Sequence, residues 1–121
     1  MLMAREIERL PDDYLYENSA ETLNFYLYSS DTRSPLELGS AASVRWSLAR
    51  YSQKGYKTDL VKTATLSTDE YGRTLAKVKL SESDTAGKVG SYIQQITVID
   101  QGGSHVIAQG HIDFFVNIDV N

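Results

Sequence analysis

The chain of 121 residues contains no cysteine. Disulfide staples, thiolate metal sites and thiol catalysis are therefore excluded, and the composition fits a reducing compartment. No apolar run approaches the ~20 residues that a membrane-spanning helix needs. The first ten residues, MLMAREIERL, scatter charges where a signal peptide would be apolar, so no secretion signal is expected. Positive charge is also scarce. Twelve Lys and Arg stand against sixteen Asp and Glu, a net charge of −4. A general phosphate-binding surface pushes a domain strongly basic. Neither nucleic acid nor membrane is an expected partner.

Catalytic signatures are lacking too. There is no nucleophile elbow, no phosphate-binding glycine loop and no zinc-binding helix motif. Acidic residues gather at turns, at Asp31, at Asp69 and Glu70, at Glu82 and Asp84, and at Asp100. None of these loops has the dense, alternating Asp pattern that supplies a calcium ion with six or more oxygens, and Asp favours turns for its local hydrogen bonds. No pair of carboxylates is marked out for glycoside hydrolysis. A small hydrolase finds no organised nucleophile and base, so the chain is expected not to be an enzyme. No cofactor or metal is implied.

The two histidines, His105 and His111, both fall in VIDQGGSHVIAQGHIDFF. In a regular strand, six residues apart, they share a face and lie about 20 Å from each other. One metal ion cannot bridge that gap with bonds of about 2 Å. With Ile112, Phe114 and Val116 inward, His111 and Asp113 become neighbours on the outer face. The segment reads as a hairpin turning at its glycines.

What is present is alternation. A chain of this size can bury about two thirds of its unfolded surface, enough for one domain without staples. TLNFYLYSS sets Leu23, Phe25 and Leu27 against Asn24, Tyr26 and Tyr28, which predicts a half-buried strand. PLEL offers a short strand through Leu36 and Leu38. SVRWSLARYS turns Val44, Trp46 and Leu48 inward, with Trp46 as a core anchor. TDLVKTATLST places Leu60, Lys62, Ala64 and Leu66 on one side. RTLAKVKL turns Ala76, Val78 and Leu80 inward and Lys77 and Lys79 outward. SESDTAGKVG reads as a loop or a single helical turn, and SYIQQITVID is the longest β-branched run. Turn signals at roughly ten-residue spacing predict an all-β sandwich. The first twenty residues differ. Met3, Ile7 and Leu10 share one side of a possible helix over residues 2–10, which Pro11 ends. The expected organisation is an N-terminal arm over residues 1–20 and a β-sandwich domain over residues 21–121.

Eight tyrosines are many for this length, and tyrosine suits both half-buried sheets and interface cores. Tyr14, Tyr16, Tyr26 and Tyr28 form one group, near the arm and the first long strand. With Ile7 and Leu10 they are the candidate interface residues, covered by the arm or by a neighbouring subunit. Arg45, Arg50, Lys54 and Lys57 make a modest basic stretch around Tyr51 and Tyr56. It reads as a solvated loop, or as a contact for a sugar or an acidic partner. Tyr51, Tyr56 and Tyr71 are the candidate glycan-stacking residues.

Four stretches resemble the small immunoglobulin-like modules of tailed-phage virion proteins, in particular the N-terminal module of phage baseplate upper proteins. They are FYLYSSDTRSPLELGSAASVRWSLAR, KTATLSTDEYGR, AKVKLSESDTAGKVGSYIQQITVIDQGG and VIAQGHIDFFV. The resemblance runs from about Leu23 to Val116, about three quarters of the chain. The baseplate modules head longer chains and lack the arm at residues 1–20. The resemblance implies an immunoglobulin-like β-sandwich, which with the strand pattern and the first twenty residues gives the expected fold: seven to eight antiparallel strands preceded by a short N-terminal arm or helix. It also implies a non-enzymatic structural role in a tail, baseplate, neck or capsid surface, with virion localisation after synthesis in the host cytoplasm. The expected partners are further copies of the chain or other virion proteins. A carbohydrate-binding or adhesin-like module is the alternative.

Overall fold

The computed structural model describes residues 8–10, 13–28, 42–50 and 55–119. Among these residues every regular element is a strand. The strands are β1 (Glu8–Arg9), β2 (Asp13–Tyr16), β3 (Glu21–Leu27), β4 (Ser43–Arg50), β5 (Lys57–Thr63), β6 (Thr65–Thr68), β7 (Thr74–Leu80), β8 (Gly90–Asp100) and β9 (Gly103–Phe115). They form two sheets. One runs β1-β9-β8-β4-β5, with β2 also paired to β9, and the other runs β3-β7-β6. The chain is thus a β-sandwich, and the two orders match the B-E-D and G-F-C-C′ sheets of immunoglobulin-type domains.

Period-two alternation builds the core. Leu23 and Leu27 of β3, Val44, Trp46 and Leu48 of β4, and Ala76, Val78 and Leu80 of β7 are all buried. So are Tyr92 and Ile96 of β8 and Ile112 and Phe114 of β9. Each fully buried aliphatic or aromatic side chain contributes roughly 1.5–3 kcal/mol of transfer free energy. The rings of Tyr92 and Phe114 meet edge to face at 5.0 Å, the favoured geometry for aromatic pairs. The Trp46 indole N–H donates to Gln94 Oε1 at 2.9 Å, so the core anchor keeps its one polar atom satisfied.

The TDLVKTATLST run is two strands. Residues 57–63 belong to the large sheet and residues 65–68 to the small one. The chain crosses between sheets at buried Ala64, whose N–H donates to the Val44 carbonyl at 2.8 Å. Leu60, Lys62, Ala64 and Leu66 keep one phase through the crossing.

The arm departs from the expected helix. Glu8–Arg9 is a strand running parallel to β9, and residues 2–7 lie outside the described residues. From residue 13, β2 continues along the same side of β9, also parallel, with Asp13 beside Ile112 and Tyr16 beside Phe115. Leu15 enters the core. Residues 13–16 are therefore part of the sandwich rather than an appendage to it.

Three further expectations meet the structure differently. Leu36 and Leu38 lie outside the described residues. Val116 is exposed, because β9 ends at Phe115. His105 and His111 occupy opposite faces. The register of β8 with β9 slips by one residue, pairing Ile96 with Ala108 but Thr97 with Val106. The extra residue, Ile107, reverses the alternation. His105 sits opposite buried Val98, whereas His111 sits opposite Ile93 on the outer face.

SESDTAGKVG is a loop of turns. Its Thr85 is fully buried. The Thr85 hydroxyl accepts from the Ser19 N–H at 2.9 Å and donates to the Ser19 carbonyl at 2.9 Å. The Thr85 carbonyl accepts from Asn18 N–H at 3.2 Å. Ion pairs between Lys62 and Asp84 at 2.8 Å and between Lys88 and Asp59 at 2.7 Å tie the same loop to β5.

Candidate functional site

The candidate interface tyrosines divide between two surfaces. Tyr14 and Tyr16 of β2 flank buried Leu15, so alternation turns both rings to the outer face of the large sheet. Phe115, in register with Tyr16, joins them. Ring centroids lie 6.0 Å apart for Tyr14 and Tyr16, 5.6 Å for Tyr14 and Phe115, and 6.1 Å for Tyr16 and Phe115. The three residues remain 56%, 43% and 47% exposed. Exposed Val116 and Ile118 follow directly. Among the described residues, β1 and β2 pair with a neighbour on one side only. This aromatic patch therefore sits on an open sheet edge. Leu10 packs on the core side instead, and Ile7 lies outside the described residues.

Beside the trio, His111 Nε2 meets Asp113 Oδ1 at 2.8 Å, and the Ser91 hydroxyl donates to the same carboxylate oxygen at 3.2 Å. His105 Nε2 meets Asp100 Oδ1 at 3.1 Å across the β8–β9 turn. Each histidine thus has its own carboxylate, on opposite faces of the sheet. Among the described residues no three His, Asp or Glu side chains converge on a point that suits a metal ion.

Tyr26 belongs to the other sheet, and Tyr28 follows the end of its strand, β3. Tyr26 pairs in register with Leu75, and its ring carries the Arg73 guanidinium at 4.4 Å. The same guanidinium lies 5.3 Å from the Tyr71 ring. Asp69 fixes this cluster through the β6–β7 turn. Its Oδ1 accepts from the Tyr71 N–H at 2.9 Å and from the Arg73 N–H at 2.8 Å, and its Oδ2 accepts from Arg73 Nε at 2.6 Å. Partial burial opposes ionisation of Asp69. The hydrogen bonds from Arg73 and Tyr71 outweigh that opposition and hold its carboxyl below the usual range. Gly72 completes the turn with φ of 78°, a conformation that favours glycine.

The candidate glycan residues are not brought together. Tyr51 lies outside the described residues. Tyr56 precedes the β5–β6 run and Tyr71 follows it, so the two stand at opposite ends of a nearly continuous extended segment. Tyr71, 74% exposed, joins Tyr26 and Arg73 instead. The basic stretch also disperses. Arg45 is a strand residue paired between Thr63 and Thr97, and Arg50 donates to the Tyr92 hydroxyl at 2.7 Å. Lys57 opens β5, and Lys54 lies outside the described residues. Asp69 and Tyr71 stand close to Arg73 in the chain, but Tyr26 does not, and only the β3–β7 register brings it to the guanidinium.

No protein-family model matches the chain, and no curated protein matches it. Among solved structures it is similar to the crystal structure of Listeria monocytogenes InlP, at 10% identity and a TM-score of 0.36, over 93% of this chain and 28% of that one. The chain spans under a third of that protein's length, and a likeness this loose carries no argument about function.

Proposed function

We propose that the chain is a non-enzymatic assembly module that associates with further copies of itself through the Tyr14–Tyr16–Phe115 edge. The observation that carries this reading is an exposed aromatic trio on a sheet edge that has no partner strand among the described residues. Aromatic residues are enriched at interface cores, and an open edge offers main-chain groups for pairing. A two-fold contact brings the same patch against itself, so the patch must not repel itself. This one meets that condition, because its rings are uncharged and His111 neighbours Asp113.

The four stretches that resemble phage modules support a place on a tailed-phage particle, as a component of the tail, baseplate, neck or capsid surface. Self-association through an open edge suits such a place, since main-chain pairing supplies affinity without special side chains.

Light scattering on the whole chain and on the Tyr14→Ser/Phe115→Ser double variant tests the assembly reading. A defined oligomer is expected for the whole chain and a folded monomer for the variant. A whole chain that stays monomeric at the highest soluble concentration would overturn it. Removal of residues 1–17 is a poor substitute, because it also strips Leu15 from the core.

A further inference from the structure

The outer face of the small sheet carries a chemistry that the assembly edge does not use. Ala76, Val78 and Leu80 of β7 point into the core, so Leu75, Lys77 and Lys79 point away from it. Arg73, just before β7, continues that row. The neighbours across the sheet are polar or aromatic and uncharged. Thr22 pairs with Lys79, Asn24 and Thr65 with Lys77, and Tyr26 and Ser67 with Leu75. Three cations thus line one face of a chain whose net charge is −4. Among the described residues, Asp69 is the carboxylate paired to this row, and it engages Arg73 alone. Lys77 and Lys79 have no ion-pair partner among the described residues.

We propose that this face, from Tyr71 and Arg73 to Lys79, binds an acidic polysaccharide. Asp69 holds Arg73 through Nε, and the two terminal amino groups of the guanidinium have no hydrogen-bond partner among the described residues. That leaves a fork of donors matched to a carboxylate or sulfate. The guanidinium covers one face of the Tyr26 ring, and Tyr71, the more exposed of the two, borders the fork with a ring whose electron-rich face suits the C–H face of a sugar. Lys77 and Lys79 offer further point charges along the strand. The row from Arg73 to Lys79 spans about 20 Å at ~3.3 Å per residue. A nucleic-acid-binding surface is generally strongly basic, which three cations on a chain of net charge −4 do not make, whereas an acidic polysaccharide presents carboxylates or sulfates together with the C–H ring faces that exposed tyrosines take.

Binding is measured by titration with oligomers of polygalacturonate, dextran sulfate, neutral dextran and oligothymidylate. Saturable binding to one of the two acidic glycans is expected, weaker at higher salt and absent for neutral dextran. The Lys77→Gln/Lys79→Gln variant, altered only at non-core positions, is expected to lose about tenfold or more in affinity, the scale of a charge-assisted contact. Tyr71→Ala is expected to lose about fivefold or more, the scale of one stacked ring. Both variants are checked for an unchanged circular dichroism spectrum. Absence of binding to both acidic glycans, equal binding of neutral dextran, tighter binding of oligothymidylate, or unchanged affinity in both variants would each overturn the proposal. The Tyr14→Ser/Phe115→Ser variant is expected to bind as the parent chain does, so failure of the assembly reading leaves this one standing.

Discussion

Gly110 faces the core side of β9, in register with Gln94, and its missing side chain makes room for the arm. A Cβ built at this position would lie 2.5 Å from Leu10 Cβ and 2.9 Å from the Leu10 carbonyl oxygen. The Leu10 N–H meanwhile donates to the Gln109 carbonyl at 2.7 Å, which fixes the backbone that would have to move. Gly110→Ala is therefore expected to displace the arm and destabilise the fold by about 1–3 kcal/mol, the usual cost of overpacking. A thermal melt reads this directly, since each kcal/mol shifts the midpoint by roughly 4 °C in a domain of this size. Gln94 illustrates what a residue-by-residue reading misses. Its position in the alternation of β8 marks it as inward, yet its polarity argues for the surface. The Trp46 N–H, which alternation also buries, resolves the conflict by giving it a partner.

At the level of elements, the inward residues of β3, β4 and β7 were legible, because half-buried strands show a period of two and nothing interrupts them. Three features were not. The arm pairs with β9 through segments of two and four residues, too short to display any period. The passage from β5 to β6 changes sheets without changing phase, so the sequence runs smoothly across Ala64. The bulge at Ile107 reverses phase without any glycine or proline to mark it. The same limit applied to the candidate sites. Tyr26 and Tyr28 carry the alternation of an exposed face, but only the β3–β7 register brings Tyr26 to Arg73. Loops reach across in a similar way. Thr85 joins its own loop to the β2–β3 turn through Ser19, with both partners on one backbone residue. Thr85→Val preserves the shape and leaves that N–H and carbonyl without the hydroxyl. A loss of about 1–3 kcal/mol is expected from unsatisfied buried polar groups, read as a lower denaturation midpoint at unchanged slope.

For the whole molecule, acid is the expected weakness. Asp84 is held below the usual carboxylate range by the hydrogen bond from Lys62 and by the Ser81 N–H, and Asp69 by the bonds described above. A carboxyl whose folded pKa is depressed adds stability that is complete above its unfolded pKa, near 3.9 for Asp. That stability is lost as pH falls through the folded value. The melting temperature is thus expected to be level near neutrality and to fall below about pH 4. Asp84→Asn should lower the plateau and make the acid fall shallower, and circular dichroism melts across pH check both. The pairing of β2 with β9 has a mechanical consequence. The two strands are parallel and adjacent, one near the start of the described chain and the other near its end. Tension applied at the start of β2 and the end of β9 pulls them along their length in opposite directions. The ladder between them is loaded in shear, so its hydrogen bonds share the force and must yield together rather than one after another.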